Sequence, residues 1–146
     1  MTIVADILKS KIEQAVHTIG PEASVFDAVR AMAQRNIGAL LVVDAEHIVG
    51  IVTERDYARK IVLMDRSSKA TAVRDIMTSP VMYVGPHHTS QECMALMTEN
   101  RLRHLPVLDG DKLVGLISIG DLVKDIISEQ QFIIEQLEQY ITGRRA

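Results

Sequence analysis

Residues 115–121 read GLISIGD, and 65 residues earlier residues 50–56 read GIVTERD. Both run glycine, two apolar residues, a hydroxyl, two variable positions and an aspartate. A single stretch of this kind predicts a short buried strand that ends in a turn. Two of them at a fixed separation predict that the chain repeats, and that decides the fold, because one unit of a repeat can be unable to bury its own apolar face. The shift of 65 carries residues 16–62 onto 81–127 without a gap. It matches Gly20-Pro21 to Gly85-Pro86, Met32 to Met97, Asp44 to Asp109, Val49-Gly50 to Val114-Gly115 and Asp56 to Asp121. A smaller echo precedes each copy: VADIL at 4–8 and VRDIM at 73–77, at an offset of 69.

Each copy reads as the same order of elements. Gly-Pro at 20 and 85 marks a turn. Ser24 and Thr89 are N-cap types, with Asp27 and Glu92 three residues on in capping-box position. Val25, Ala28, Val29, Met32 and Ala33 recur at helical spacing, and Cys93, Leu96 and Met97 continue that face in the second copy. The apolar runs ALLVV (39–43) and LPVL (105–108) end at Asp44-Ala45 and at Asp109-Gly110-Asp111. Residues 48–52 and 113–117 follow, so each copy predicts two buried strands joined by a tight turn. Thr53 and Ser118 then cap a second helix, with Asp56 and Asp121 at N3, where a carboxylate meets free amides and the positive end of the helix dipole. The same spacing also suits a ligand site, since a helix start at the carboxyl end of a strand accepts anions and a carboxylate there accepts ribose hydroxyls. Spacing alone does not choose between a cap and a sugar reader.

Composition narrows the function classes. The net charge of -3 gives none of the electrostatic footprint that duplex nucleic acid demands, and 3% aromatic residues without tryptophan give no stacking platform for single strands. No apolar run reaches the ~18–20 residues of a membrane span, and the N-terminus lacks a signal-peptide layout. The lone Cys93 forms no internal disulfide and fits reducing cytosol, so a cytoplasmic location is expected. Adjacent His87 and His88 diverge in an extended segment without a third donor, and no metal site is expected. Cys93, on an apolar helical face, reads as a small buried hydrophobe.

The ordered set of V-x-D-I-M, the Gly-Pro turn, the helix, the Arg-His-Leu-Pro-Val run at 103–107 and G-x-x-[ST]-x-x-D twice over resembles a tandem pair of cystathionine-β-synthase (CBS) domains, from about residue 4 to 127. It is most similar to small bacterial proteins that carry only this pair, for which TERDYARK at 53–60 is typical. The resemblance implies an α/β (α+β) fold of two β-α-β-β-α repeats packed with pseudo-twofold symmetry into a disc-like module. Residues 4–72 are the first domain, 73–128 the second and 129–146 a C-terminal helical extension. It also implies adenosyl ligands (AMP, ADP, ATP, NAD(H) or S-adenosylmethionine) in clefts between the copies, bound for regulation rather than catalysis. Carried over residue by residue, Asp56 and Asp121 would hold the ribose with Thr53 and Ser118 beside it. Arg103, His104 and Arg55 would meet phosphate, through guanidinium forks suited to its oxygens. Adenine would lie against Ile19 and Val84 and against backbone around Ile37, Gly38, Ala39 and Leu40, and around Leu102, Leu105 and Pro106. The copies differ where phosphate would sit: Gly38-Ala39 replaces Arg103-His104, and Gly120 replaces Arg55, so unequal sites are expected.

From Ile126 on, Ile127, Ile133, Ile134, Leu137, Tyr140 and Ile141 recur at three, four and seven, predicting a helix from about Asp121 to Thr142 stopped by Gly143. At ~30 Å it exceeds what so small a unit needs for its own core, and a homodimer interface is the expected use of the surplus stripe. The expected function is an adenine-nucleotide sensor that signals to an unknown client protein. The alternatives are a dimerisation scaffold with degenerate clefts and, third, a nucleotide-processing enzyme, which the lack of a P-loop, GxGxxG, catalytic triad or metal set disfavours.

Overall fold

A computed structural model describes residues 2–11 and 16–141. They fall into two compact units: Val16–Met82, and the chain before Val16 together with the chain from Tyr83 on. These units divide the chain before Val16 and before Tyr83, because each lead-in segment packs away from the copy it precedes.

In the first unit, β1 (Thr18–Ile19) pairs parallel with β2 (Ala39–Asp44), and β2 pairs antiparallel with β3 (His47–Thr53). Between β1 and β2 runs α2 (Val25–Arg35). Ser24 caps it by accepting from the Asp27 amide at 3.0 Å, and Asn36 ends it in the left-handed region at φ 55. The β2–β3 turn is two residues long, with Ala45 and Glu46 both at positive φ, the twist a tight hairpin requires. After β3, α3 (Glu54–Tyr57) runs into a single π-helical turn (Ala58–Val62). Val25, Ala28, Met32, Leu40, Val42, Val52 and Ile61 fill the core, joined by Val73 and Ile76 from the following segment. Met77 explains Gly50: a Cβ there would stand 2.5 Å from the Met77 sulfur.

The second unit repeats the plan. Thr89 and Glu92 close a full capping box on α4 (Ser90–Asn100), and Arg101 takes the left-handed end that Asn36 takes before it. Strands β4 (His104–Asp109) and β5 (Lys112–Ser118) pair antiparallel, with a bulge at the place matching the one in β2. Val84 makes only a bridge to Val107 where the first unit has β1. The lead-in here is α1 (Val4–Ser10). Its Val4 and Ile7 complete the core of Val84, Cys93, Met97, Leu105, Val107, Ile117 and Leu122. Leu8 lies over Gly115, where a Cβ would meet it at 2.6 Å. The glycine that opens each repeated motif is thus the floor on which a lead-in side chain rests.

The last helix, α5, spans Ile119–Ile141, starting two residues before the expected position; Thr142 and Gly143 lie outside the described residues. Leu122 is buried, whereas Ile127, Phe132, Ile133, Ile134, Leu137, Tyr140 and Ile141 are exposed, so the outer half of α5 is not consumed by this chain's own core. No described helix is long and apolar enough to cross a membrane.

Candidate functional site

The two strand-to-helix junctions gather most of the residues singled out from the sequence. At the second, His104 and Ser118 face each other across the β4–β5 ladder. The Ser118 amide donates to Asp121 Oδ2 at 2.8 Å, and the Asp121 amide donates to Ser118 Oγ at 3.2 Å. The first helical amide, of Ile119, donates to the Arg103 carbonyl at 2.9 Å, which draws Arg103 to the rim. Lys11 then arrives from beyond α1. Its Nζ stands 2.9 Å from the same Asp121 Oδ2 and donates to the Leu116 carbonyl at 2.7 Å. Among the described residues, Asp121 Oδ1 has no partner.

At the first junction the capping box is complete. Asp56 Oδ2 accepts from the Thr53 amide at 3.0 Å and from Thr53 Oγ1 at 3.1 Å, while the Asp56 amide donates to Thr53 Oγ1 at 3.1 Å. Here Oδ1 is taken as well. Lys60 Nζ lies 3.1 Å from it, Thr78 Oγ1 donates to it at 3.3 Å, and Lys60 also donates to the Ile76 carbonyl at 2.7 Å. The Glu54 amide donates to the Gly38 carbonyl at 3.1 Å. The Glu54 carboxylate lies over Gly38, where a Cβ would come within 3.2 Å of it.

Capping is therefore fact at both junctions, and any ligand role is added to it. Arg55 and Arg103 are exposed, and Ile19, Ile37, Gly38, Leu102 and His104 are partly so. Ala39, Leu40, Leu105 and Pro106 are buried, leaving backbone as what they offer. Val84 is committed twice: its side chain sits in the core, its N–H donates to the Pro106 carbonyl and its carbonyl accepts from Leu108. Its side chain and both of its backbone groups are thus taken up by the core and the strand. Lys60, four residues after Asp56, was open to discovery from helix spacing. Lys11 was not, since more than a hundred residues separate it from Asp121. His88 does not stand free in its turn: Nδ1 accepts from the Gly85 amide at 2.8 Å and pins the Gly-Pro corner.

The charges around the second junction shift two groups. Burial, helped by the nearby Lys11 and Arg103 cations and opposed by Asp121, holds His104 below the ordinary histidine value. Burial pushes Asp121 upward, but the Ser118 amide and hydroxyl and Lys11 outweigh it and hold its carboxyl below the usual range. Both groups bind protons less readily folded than unfolded, so each contributes stability that is present above its unfolded value and lost as pH falls. For His104 the loss begins below about pH 6.5. Urea midpoints should fall between pH 7.5 and 5, and His104→Gln should flatten that slope; an unchanged slope in the variant would remove His104 from the account.

Comparison with known proteins places this geometry. The profile described as CBS domain matches residues 4–63 and again 73–128. A solved protein with CBS domains from Burkholderia ambifaria MC40-6 is 61% identical, with a TM-score of 0.85 over 88% of this chain and 96% of its own. The CBS domain-containing protein CBSX3, mitochondrial, of Arabidopsis thaliana is 41% identical over 97% of this chain and 73% of its own. The CBS domain pair of a third protein, solved in complex with 5'-methylthioadenosine and S-adenosyl-L-methionine, is 24% identical with a TM-score of 0.78. It covers 88% of this chain and 98% of its own, and shares the fold.

Proposed function

The chain belongs to the CBS-domain family, and from that premise we propose that it is a regulatory sensor of adenosyl ligands, AMP, ADP, ATP, NAD(H) or S-adenosylmethionine, without catalytic activity of its own. One observation carries the reading. At the second junction a carboxylate kept ionised by Ser118 and Lys11 presents an oxygen that no described residue uses, beside a histidine at the strand start and an arginine at the rim. That set suits vicinal sugar hydroxyls on Asp121 and phosphate on Arg103 and His104. The complex with 5'-methylthioadenosine and S-adenosyl-L-methionine is a property of the protein that forms it, and it supports an adenosyl group as the first ligand to try here.

Occupancy has to reach a client protein, in the cytoplasm on this reading, and α5 supplies the surface. Ile127, Ile134 and Ile141 recur every seven residues, with Val123 one turn before them and Leu137 between the last two, all exposed, the repeat of a helical seam. A second copy of this chain along that seam makes the sensor a homodimer. The same stripe favours the second reading, a dimerisation scaffold.

A melting panel separates the readings. With protein stripped of co-purified nucleotide, a ligand at 100 times its dissociation constant should add about 2.7 kcal/mol, several degrees for a chain of this size. If AMP, ADP, ATP, NAD, NADH and S-adenosylmethionine all leave the midpoint where it was, the scaffold reading replaces the sensor. Consumption of a ligand during the assay would instead make the protein an enzyme.

A further inference from the structure

The two junctions share a motif but not its use. In each, Oδ2 of the aspartate is turned onto the hydroxyl residue's amide, so Oδ1 is the oxygen left to receive a ligand hydroxyl. At Asp121 it is open among the described residues. At Asp56 it is closed by Lys60 and Thr78. Both closing groups are themselves held. Lys60 is tied to the Ile76 carbonyl, and Thr78 exchanges backbone hydrogen bonds with Ile51 at 2.8 and 3.0 Å. We infer that the junction at Asp121 is the one that takes an adenosyl ligand, while at Asp56 Lys60 and Thr78 form an internal latch that keeps the ligand out. This rests on the sensor reading above and adds which site acts and what silences the other.

The surroundings agree. The position of Lys60 is filled by Asp125 in the second copy, so the lysine of the latch has no counterpart at that position of α5. Its lysine comes instead from Lys11, which approaches the opposite oxygen and so aims and ionises the carboxylate without covering Oδ1. Where the second junction shows Arg103 and His104 to a phosphate, the first shows Gly38 and Ala39 with the Glu54 carboxylate over the glycine. An anion there meets like charge. Arg55 favours phosphate at that junction, but it is exposed, where solvent and salt weaken it. Removing the latch should therefore open a second site, and one that prefers an uncharged nucleoside to a nucleotide.

Calorimetric titration of the full chain with AMP, and with adenosine in parallel, tests this. The native protein should bind about one equivalent of AMP. Asp121→Asn should abolish that binding and Asp56→Asn should leave it in place, with circular dichroism confirming that both variants fold. Lys60→Met combined with Thr78→Val should raise adenosine binding to about two equivalents, a gain that a purely structural lysine would not produce. Loss of binding in Asp56→Asn but not in Asp121→Asn, or two equal sites in the native protein, overturns the inference and leaves the sensor reading standing. The absence of any binding by adenosine, AMP, ADP, ATP, NAD, NADH or S-adenosylmethionine removes the sensor reading and the inference together.

Discussion

Replacing Ile7 with aspartate should strip hydrogen-exchange protection from the amides of β4 and β5 by at least a hundredfold, while β2 and β3 keep most of theirs. Ile7 is 4% exposed and lies in one apolar cluster with Val84, Leu105, Val107, Ile117 and Leu122. A carboxylate there has no partner and must either be buried charged or take up a proton, a penalty of several kcal/mol against a total stability of about 5–15. The segment is held by more than this side chain. The amides of Val4 and Ala5 donate to the carbonyls of His88 and Pro86, and the Ser90 amide donates back to Thr2. These bonds and the Leu8–Gly115 contact loosen together once α1 lifts.

The mirror experiment is Ile76→Asp. Val73 and Ile76 belong to the other cluster, the Val73 and Arg74 amides donate to the carbonyls of Ala23 and Pro21, and Met77 covers Gly50. That variant should expose β2 and β3 first. Equal loss in both hairpins from either variant would mean that the lead-in segments are not what holds their respective cores.

Local chemistry in the chain explains why so much of this fold could be read in advance. Caps, hairpin turns and alternating strands are set within a few residues, so Ser24, Thr89, Thr53 and Ser118 announced their helices, and the copy at 65 residues confirmed each element by its twin. The lead-ins were visible as an echo, but periodicity carries no information about which core an amphipathic segment will join, and the exchange became evident only from packing. The π-helical turn after Tyr57, from which Ile61 enters the core and Lys60 reaches the Ile76 carbonyl, was equally hidden. At the site, the motif located both aspartates, but their unequal state is set by Lys60, Thr78 and Lys11, two of which come from outside the repeated stretch.

That inequality has a measurable cost even without ligand. Asp56→Ala should destabilise the protein by about 2–3 kcal/mol and Asp121→Ala by about 1–2, read from urea midpoints at neutral pH. Both changes delete an N3 carboxylate and the bond it returns to the cap amide. Asp56→Ala also removes acceptors from the Thr53 and Thr78 hydroxyls and the counter-charge from Lys60, at a carboxylate whose side chain is 10% exposed. Asp121 loses Lys11, but its side chain is 18% exposed and one of its oxygens had no described partner to leave behind. Asp56→Asn, which keeps an acceptor on the cap and gives up the ion pair, should fall below 1 kcal/mol, because Lys60 is 42% exposed and such pairs are worth little near solvent. Equal costs for the two alanine variants would show that the Lys60–Thr78 contacts add nothing, and a latch that adds nothing cannot hold a ligand out. The costlier carboxylate is thus expected to be the one that does not bind: Asp56 spends its second oxygen on the fold, and Asp121 leaves that oxygen for a sugar.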